Sequence, residues 1–191
     1  GVLLRTEDHE PRELWAERLG ISAAELNRLV FQSKASRLAT VGRGQVEAIW
    51  QGLADRFDLA SPEREQLERD FWSGDEVDRE LLSFVRDLRP TYKTALLSNA
   101  WPDVRHFIEN VWGFADAFDQ VIISAEVGFA KPDPRIYQLA LNKLDVEANE
   151  AVFVDDFEEN VHGARQVGMH AIHFRSPEQV KQDLKTLLTR S

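Results

Sequence analysis

The sequence predicts an α/β fold, with a parallel sheet that carries helices on both faces and a small all-helical unit inserted near the N-terminus. Two observations lead to this prediction. Residues 10–72 show helical spacing alone, whereas from about residue 76 onwards short apolar strands alternate with helices. This alternation indicates a parallel sheet, because a parallel strand pair needs a long crossover connection. We therefore expect an α/β core formed by residues 1–7 and 76–191 and a helical domain formed by residues 8–75.

Four helices are predicted in the inserted unit from their apolar spacing and their end signals. The first ends at Gly20, because glycine readily adopts the left-handed conformation found at helix C-termini. Ser22 and Glu25 form the capping-box pattern that opens the second helix. The third covers residues 45–57, where apolar side chains recur at one-turn spacing. Ser61 is expected to be the N-cap of the fourth helix, since a proline follows it in the first turn.

Four strands and five helices are predicted in the rest of the chain. The strands are short apolar runs at residues 94–97, 121–123, 151–154 and 170–174. The helices are indicated by one-turn apolar spacing at residues 81–88, 104–112, 134–143 and 158–167, and from residue 177 onwards. Residues 124–130, between the second of these strands and the next helix, are expected to form a loop.

The composition excludes several classes of protein. The formal net charge is −10 at pH 7, and there is no basic stripe of the kind that neutralises nucleic-acid phosphates. The same acidic balance argues against an anionic membrane surface, and the apolar runs are too short to span a bilayer. Without cysteine the chain has no disulfide, thiolate nucleophile or zinc–sulfur site. We expect a cytoplasmic monomer or homodimer with a small-molecule substrate and neither nucleic acid nor membrane as partner.

Polar and charged side chains follow the predicted strands, at the edge where ligands bind to an open parallel sheet. Ser98 and Asn99 come directly after one strand, and Asp155 and Asp156 directly after another. Lys131 lies among prolines that restrict its loop, and a lysine held in this way suits an anion. Adjacent carboxylates repel unless a cation lies between them, and Mg²⁺ is usually bound by one or two carboxylates with substrate phosphate. Each signal is weak alone, but together they predict a magnesium site.

Three segments resemble motifs of the haloacid dehalogenase superfamily, in the order in which that family carries them. Residues 96–99 (Leu-Leu-Ser-Asn) resemble the second motif. Residues 128–137, with Lys-Pro-Asp-Pro-Arg-Ile-Tyr, resemble the third, and residues 152–164, with Asp-Asp-Phe-Glu-Glu-Asn, the fourth. The resemblance covers essentially the whole chain and implies a HAD-like, Rossmann-type core with the helical insert as its small C1 cap. The chain is most similar to the branch with bacterial sugar-phosphate phosphatases and the phosphatase domain of soluble epoxide hydrolases.

The resemblance also implies roles for the residues at this edge of the sheet. Ser98 would hydrogen-bond the transferring phosphoryl group, with Asn99 beside it as a further catalytic and substrate-binding residue. Lys131 would neutralise charge on the nucleophile and on the phosphoryl group. Asp156 would bind Mg²⁺ directly, and Asp155 would act through water or hydrogen bonds. The activity implied is that of a magnesium-dependent phosphatase for a small phosphorylated metabolite.

The first motif of this branch reads Asp-x-Gly-Gly-Val-Leu or Asp-x-Asp-Gly-Val-Leu, and the chain opens with Gly-Val-Leu. This match places the nucleophilic aspartate three positions before Gly1, at the end of a central strand. The aspartate would attack phosphorus to form an aspartyl-phosphate, which water then hydrolyses. Asn160 would support the site, and the cap would close over a substrate contacted by Arg37, Arg43 and Trp50.

Two alternatives stay open at this stage. A 2-haloacid dehalogenase attacks carbon and needs no magnesium, and family members of that kind lack the paired carboxylates seen at Asp155 and Asp156. A non-catalytic binding or regulatory protein would keep the fold without the first motif, since fold does not determine function. The residues that precede Gly1 distinguish these alternatives from the phosphatase, because they carry the nucleophile in the enzyme.

Overall fold

Six short strands form three pairs in the part of the chain that the structure, a computed structural model, describes (residues 1–188). The antiparallel pair is β1 (Leu4–Thr6) with β2 (Asp75–Val77), and the parallel pairs are β3 (Ala95–Ser98) with β4 (Gln120–Ile123) and β5 (Val152–Asp155) with β6 (His170–His173). The parallel pairing confirms the predicted α/β class. All four predicted strands lie within one residue of their observed bounds.

Five helices lie between β1 and β2. They are α1 (Glu10–Arg18), α2 (Ala23–Phe31), α3 (Lys34–Thr40), α4 (Glu47–Phe57) and α5 (Ser61–Ser73). Their inward side chains form one hydrophobic cluster, in which Leu26, Val30 and Phe71 are inaccessible to solvent. The short helix α3 was not predicted, because seven residues are too few to display a helical period.

The end signals of these helices are confirmed with one exception. Gly20 has φ +68°, and the Ser22 hydroxyl accepts a hydrogen bond from the Glu25 N–H at 3.1 Å. The prediction of Ser61 as N-cap is wrong, because the cap of α5 is Ala60. The Glu63 carboxylate accepts the Ala60 N–H at 3.0 Å, which is the half of a capping box that needs no hydroxyl group at the N-cap, and the helix begins one residue earlier.

The strand pair β1–β2 joins the inserted helices to the rest of the molecule. The Gly74 carbonyl accepts hydrogen bonds from the N–H groups of Glu7 and Asp8. A Cβ atom at Gly74 would lie 1.9 Å from the Asp8 carbonyl oxygen, so only glycine permits this approach. The Arg12 guanidinium is buried and lies 2.6 Å from the Asp75 carboxylate. The sequence did not predict these strands, since each has only three residues.

The remaining helices agree with the predictions except in two segments. They are α6 (Arg79–Leu88), α7 (Val104–His106), α8 (Ser124–Val127), α9 (Pro134–Leu144), α10 (Glu158–Gln166) and α11 (Pro177–Leu188). The expected single helix over residues 104–112 changes to a π-helical turn at Phe107–Val111, closed by a bond from Trp112 N to the Phe107 carbonyl. Phe107 and Val111, the first and last residues of this turn, are exposed to solvent. The expected loop 124–130 contains α8.

Two apolar clusters cover opposite faces of the parallel strands. Adjacent side chains of a strand point to opposite faces, and Ile122 and Ile123 of β4 accordingly lie in different clusters. Tyr137 of α9 and Phe153 of β5 pack with Ile122, whereas Leu82 of α6 packs with Ile123. The helices therefore lie on both faces, as predicted.

The two parallel strand pairs are separate, because no strand pairing joins β3 to β5 in the described residues. All four residues of β3 are partly exposed, although α/β proteins usually bury such strands on both faces. The side chain of Lys131 connects the carboxyl ends of β3 and β5. Within residues 1–188, the structure has no helix of the length and apolarity needed to cross a membrane.

Candidate active site

Lys131 lies between the carboxyl ends of β3 and β5. Its Nζ donates to the Leu97 carbonyl oxygen at 2.8 Å and to Asp155 Oδ2 at 2.7 Å. The side chains of Lys131 and Asp155 are 9% and 4% exposed, so the ion pair is almost completely removed from water. A buried pair needs good geometry and further hydrogen bonds to offset its desolvation, and both are present here. Lysine, serine and carboxylates thus meet at one edge of the sheet, as the sequence predicted.

Asn99 holds the backbone of the lysine loop. Its Nδ2 donates to the Lys131 carbonyl oxygen, and its Oδ1 accepts the Lys131 N–H, both at 2.8 Å. The peptide bond that follows, Lys131–Pro132, is cis. Asn99 therefore attaches the loop after α8 to the loop after β3, and this contact positions Lys131.

Asp155 is the last residue of β5, and its carboxylate is fully engaged by the protein. Oδ1 accepts the Phe157 N–H at 2.9 Å and the Asn160 Nδ2 at 2.8 Å, while Oδ2 accepts from Lys131. Three donors on one buried carboxylate orient it without freedom to rotate. Asp155 is thus suited to orienting neighbouring groups through hydrogen bonds.

Asp156 differs from Asp155, because its carboxylate is 31% exposed and makes no hydrogen bond within the described residues. The nitrogen of Gly1 lies 3.5 Å from Asp156 Oδ2. The backbone carbonyl oxygen of Asp156 lies 3.0 Å from His173 Nε2. Nearby, the Oδ1 of Asn160 is buried and has no hydrogen-bond partner in residues 1–188. The partly exposed carboxylate of Asp156 and the unpartnered amide oxygen of Asn160 are thus two possible oxygen ligands at this edge.

These oxygen atoms fit a magnesium ion that is completed by water and substrate. Mg²⁺ in phosphate-transferring sites usually binds one or two carboxylates and retains several waters. Residues 1–188 contain no group of three or more His, Asp or Glu side chains arranged to enclose a metal. The donors therefore suit an open Mg²⁺ site and do not form a closed, all-protein cage.

Ser98 ends β3 beside the lysine, and its hydroxyl makes no hydrogen bond to the described residues. The next turn of backbone is held by Ser124, a fully buried residue that the sequence prediction missed. The Ser124 Oγ accepts the Ala100 N–H at 3.0 Å and donates to the Ala100 carbonyl at 3.2 Å. Its only sequence signal is a hydroxyl directly after the buried strand β4. The clamp fixes the loop that carries Ser98 and Asn99.

Tyr137 connects two helices next to the candidate site. Its hydroxyl donates to the Asn160 carbonyl oxygen at 2.8 Å, which attaches α9 to the first turn of α10. Burial raises the pKa of Tyr137 well above its ordinary value, and the carboxylates of Asp155 and Glu159 add to the rise. The phenol therefore stays protonated and remains a donor across the physiological pH range.

The three residues of the insert that were expected to contact substrate differ in their exposure to solvent. Trp50 is fully buried in the cluster of the inserted helices and cannot reach a substrate, so its assignment as a contact is wrong. The large ring fills the space between helices, where burial contributes more than exposure would. Arg37 and Arg43 lie at the surface, and the Arg37 guanidinium donates to the Gln32 carbonyl oxygen.

Comparison with known proteins agrees with the fold. The family model for haloacid dehalogenase-like hydrolases matches residues 1–168. A phosphoserine phosphatase from Thermus thermophilus is 33% identical over 160 residues, which cover 69% of this chain and 64% of that protein. A D-ribitol-5-phosphate phosphatase from Bacteroides thetaiotaomicron is 28% identical over 125 residues, or 61% of each chain. The chain thus spans less than two thirds of the length of these relatives.

A solved structure shows the same fold over most of its length. It is a HAD family enzyme from Bacteroides thetaiotaomicron in complex with magnesium and inorganic phosphate. The TM-score is 0.72 at 20% sequence identity, with 92% of this chain and 90% of that chain covered. Since the family model extends over most of the sequence and the motif residues meet at one edge of the sheet, this chain belongs to the haloacid dehalogenase-like hydrolase family.

Proposed function

We propose that this protein is a magnesium-dependent phosphatase that acts on a small phosphorylated metabolite through an aspartyl-phosphate intermediate. The observation that carries the proposal is the Lys131 ammonium, held between Leu97 and Asp155, with the Asp156 carboxylate next along the chain and not hydrogen-bonded within residues 1–188. Two of the three ammonium N–H groups are used by the protein, so one is left to bind a phosphoryl oxygen. The Ser98 hydroxyl is available to bind another.

Asp156 would hold the magnesium ion, and the Oδ1 of Asn160, which has no partner within residues 1–188, would support it. When bound, Mg²⁺ supplies Lewis-acid stabilisation of negative charge on the phosphoryl oxygens. Lys131 and Ser98 would orient the same group and stabilise its charge from the other side. The relatives named as phosphoserine and D-ribitol-5-phosphate phosphatases support the reaction class, and the neighbour bound to magnesium and phosphate supports the cofactor.

The nucleophile is proposed to be an aspartate three positions before Gly1, on a strand between β3 and β5. Support comes from the facing edges of β3 and β5, which are not paired with each other, and from the 3.5 Å between Gly1 N and Asp156. The aspartate would displace the alcohol from phosphorus, and water would then hydrolyse the aspartyl-phosphate.

The same proposal includes the division of the chain into domains, its cellular location and its oligomeric state. Residues 8–75 would form the cap, and residues 1–7 and 76–191 the core on which it closes. The five helices with their own apolar cluster support this division. The acidic, cysteine-free composition supports a cytoplasmic location, where the protein would act as a monomer or homodimer.

The proposal is tested by measuring phosphate release from an aryl phosphate by the full-length protein, with and without Mg²⁺. We expect release that requires Mg²⁺ and falls about 100-fold or more in Asp156→Ala, because the metal loses its carboxylate. Titration calorimetry should show a matching loss of Mg²⁺ binding. Glu158→Ala is the matched control, since this exposed carboxylate lies two residues away. Undiminished turnover in Asp156→Ala, or full activity in a chelator, contradicts the proposal.

A further inference from the structure

One segment of the inserted helices touches the core at both of its ends. This roof segment, residues 31–42, starts at Phe31, whose ring centroid lies 6.2 Å from that of Trp101. It ends at Gly42, where a Cβ atom would lie 2.1 Å from the Ala125 carbonyl oxygen. Gly42 also has φ +69°, so both its conformation and its contact with α8 require glycine.

The two contacts place the roof segment against the edge of the sheet that carries the candidate site. Trp101 comes two residues after Asn99, which holds the Lys131 loop. Ala125 follows Ser124, whose hydroxyl clamps the backbone of Ala100. The segment therefore spans the two core loops that position Lys131 and Ser98.

The roof segment exposes large apolar side chains beside this polar edge. Phe31 is 44% exposed and Leu38 is 38% exposed. The ring of Phe31 also packs on Trp72 at 5.8 Å, so the exposed face continues into a fixed aromatic wall. Small-molecule sites combine apolar walls of this kind with a few fixed polar groups.

The hydroxyl groups of the roof segment are used by its own backbone. Ser33 accepts the Ser36 N–H, Ser36 donates to the Phe31 carbonyl, and Thr40 donates to the Ser36 carbonyl. These three hydroxyl groups are therefore already engaged and offer little to the hydroxyl groups of a substrate, and unpaired polar groups are costly to bury. The segment offers apolar contact in their place.

The charge of this region suits the phosphate end of such a substrate. Between Glu25 and Glu47 the sequence has four Lys or Arg residues and no Asp or Glu, although the whole chain has a net charge of −10. These residues are Arg28, which lies before the roof segment and pairs with the Glu25 carboxylate at 3.4 Å, Lys34 and Arg37 within it, and Arg43 directly after it. A local positive potential attracts a phosphate dianion, while Phe31 and Leu38 provide no partner for a polar leaving group.

We propose that the substrate is a phosphate monoester of an apolar alcohol, whose leaving group contacts Phe31 and Leu38. Hydrolysis breaks the bond between phosphorus and the alcohol oxygen, and water supplies the oxygen of the released phosphate and the proton of the alcohol. This inference rests on the proposed phosphatase function and names the substrate class of that site.

The test compares hexyl phosphate with glycerol phosphate as substrates of the full-length protein in Mg²⁺. We expect kcat/KM to favour hexyl phosphate about 10-fold or more, since burying an apolar group contributes this much discrimination. Phe31→Ala combined with Leu38→Ala should lower kcat/KM for hexyl phosphate about 10-fold. Glycerol phosphate should change by less than about two-fold, because its leaving group gains little from apolar contact. Leu14→Ala is the control, an exposed leucine on α1, which packs on α2 and α5.

Because Phe31 belongs to an aromatic cluster, Leu38→Gln is measured separately, with folding followed by circular dichroism. The same selective loss in Leu38→Gln supports the proposal. Equal kcat/KM for the two esters, a preference for glycerol phosphate, or an equal loss for both in the variants overturns it and leaves the phosphatase function intact. Absence of phosphate release from either ester and from the aryl phosphate overturns both proposals.

Discussion

At the scale of single residues, the energetics of the site depend on the pair Lys131–Asp155. Both charges are almost fully buried, and each is further bonded, Lys131 to a carbonyl and Asp155 to two N–H donors. The ammonium also lies 5.5 Å from the ring centroid of Phe153, which gives it additional favourable contact. Removing one charge would leave the other buried without a partner.

Lys131→Met should therefore lower the free energy of unfolding by about 3–5 kcal/mol, because it leaves Asp155 as an uncompensated buried charge. Urea unfolding of the full-length protein at pH 7 measures this change. Lys143→Met, at the exposed end of α9, is the matched control and should change stability by less than about 0.5 kcal/mol. Equal changes in the free energy of unfolding of the two variants would contradict the predicted contribution of the ion pair.

At the scale of secondary-structure elements, α10 packs closely on the lysine loop. A Cβ atom at Gly163 would lie 2.9 Å from both the Cβ and the carbonyl oxygen of Pro132, and 3.1 Å from the Tyr137 hydroxyl. Pro132 follows Lys131 directly, so a displacement of α10 is passed to the lysine. Glycine at this helix position is explained by packing, since it costs helix propensity.

Gly163→Ala should destabilise the protein by about 1–3 kcal/mol, because overpacking against Pro132 outweighs the better helix propensity of alanine. The control is Gly52→Ala in α4, where a Cβ atom meets nothing within 4 Å. That variant should gain about 0.5–1 kcal/mol. Thermal unfolding of both variants measures the difference, and a stabilised Gly163→Ala would contradict the packing argument.

Element by element, the predictions succeeded where the signal is local. The strands at β3 to β6 were found from runs of apolar residues, and helix ends at Gly20 and Ser22 from capping chemistry. The predictions failed where a helix was too short to show a helical period, as in α3 and α8, or where the helical period changed within the helix. The π-helical turn at Phe107–Val111 breaks the 3.6-residue spacing on which the prediction of one helix depended.

At the scale of the whole molecule, Trp101 connects the inserted helices to the core. It belongs to the loop after β3, yet its ring packs among residues of the insert, 5.7 Å from Trp72 and 6.5 Å from Trp50. Every other buried member of that cluster lies between Trp15 and Phe71. The cluster is thus completed by a side chain of the loop that carries Ser98 and Asn99.

Trp101→Ala should lower stability by about 3–5 kcal/mol through the cavity it leaves. Because the ring fills the cluster of the insert, amide hydrogen exchange should accelerate more in α2, α4 and α5 than in α9 and α10. Trp112→Ala, in the half-buried tryptophan that stacks on Phe114, is the control and should not show this pattern. Uniform loss of protection in Trp101→Ala would contradict a specific connection to the insert.

The sequence by itself determined the class of fold and most of the candidate site. Ser98, Lys131, Asp155 and Asp156 were identified because each comes next to a recognisable strand or motif, and parallel strands bring their carboxyl ends together. Their neighbours along the chain were enough for that prediction.

Only the tertiary structure decided which side chains hold the site in place and which are buried. The clamp of Asn99 on Lys131 joins residues 32 positions apart, and the bonds from Ser124 to Ala100 join residues 24 apart. Trp50 proved to be buried, and the ring of Trp101 to pack among the helices of the insert, for the same reason. Burial and partners depend on contacts between distant segments, which local periodicity does not encode.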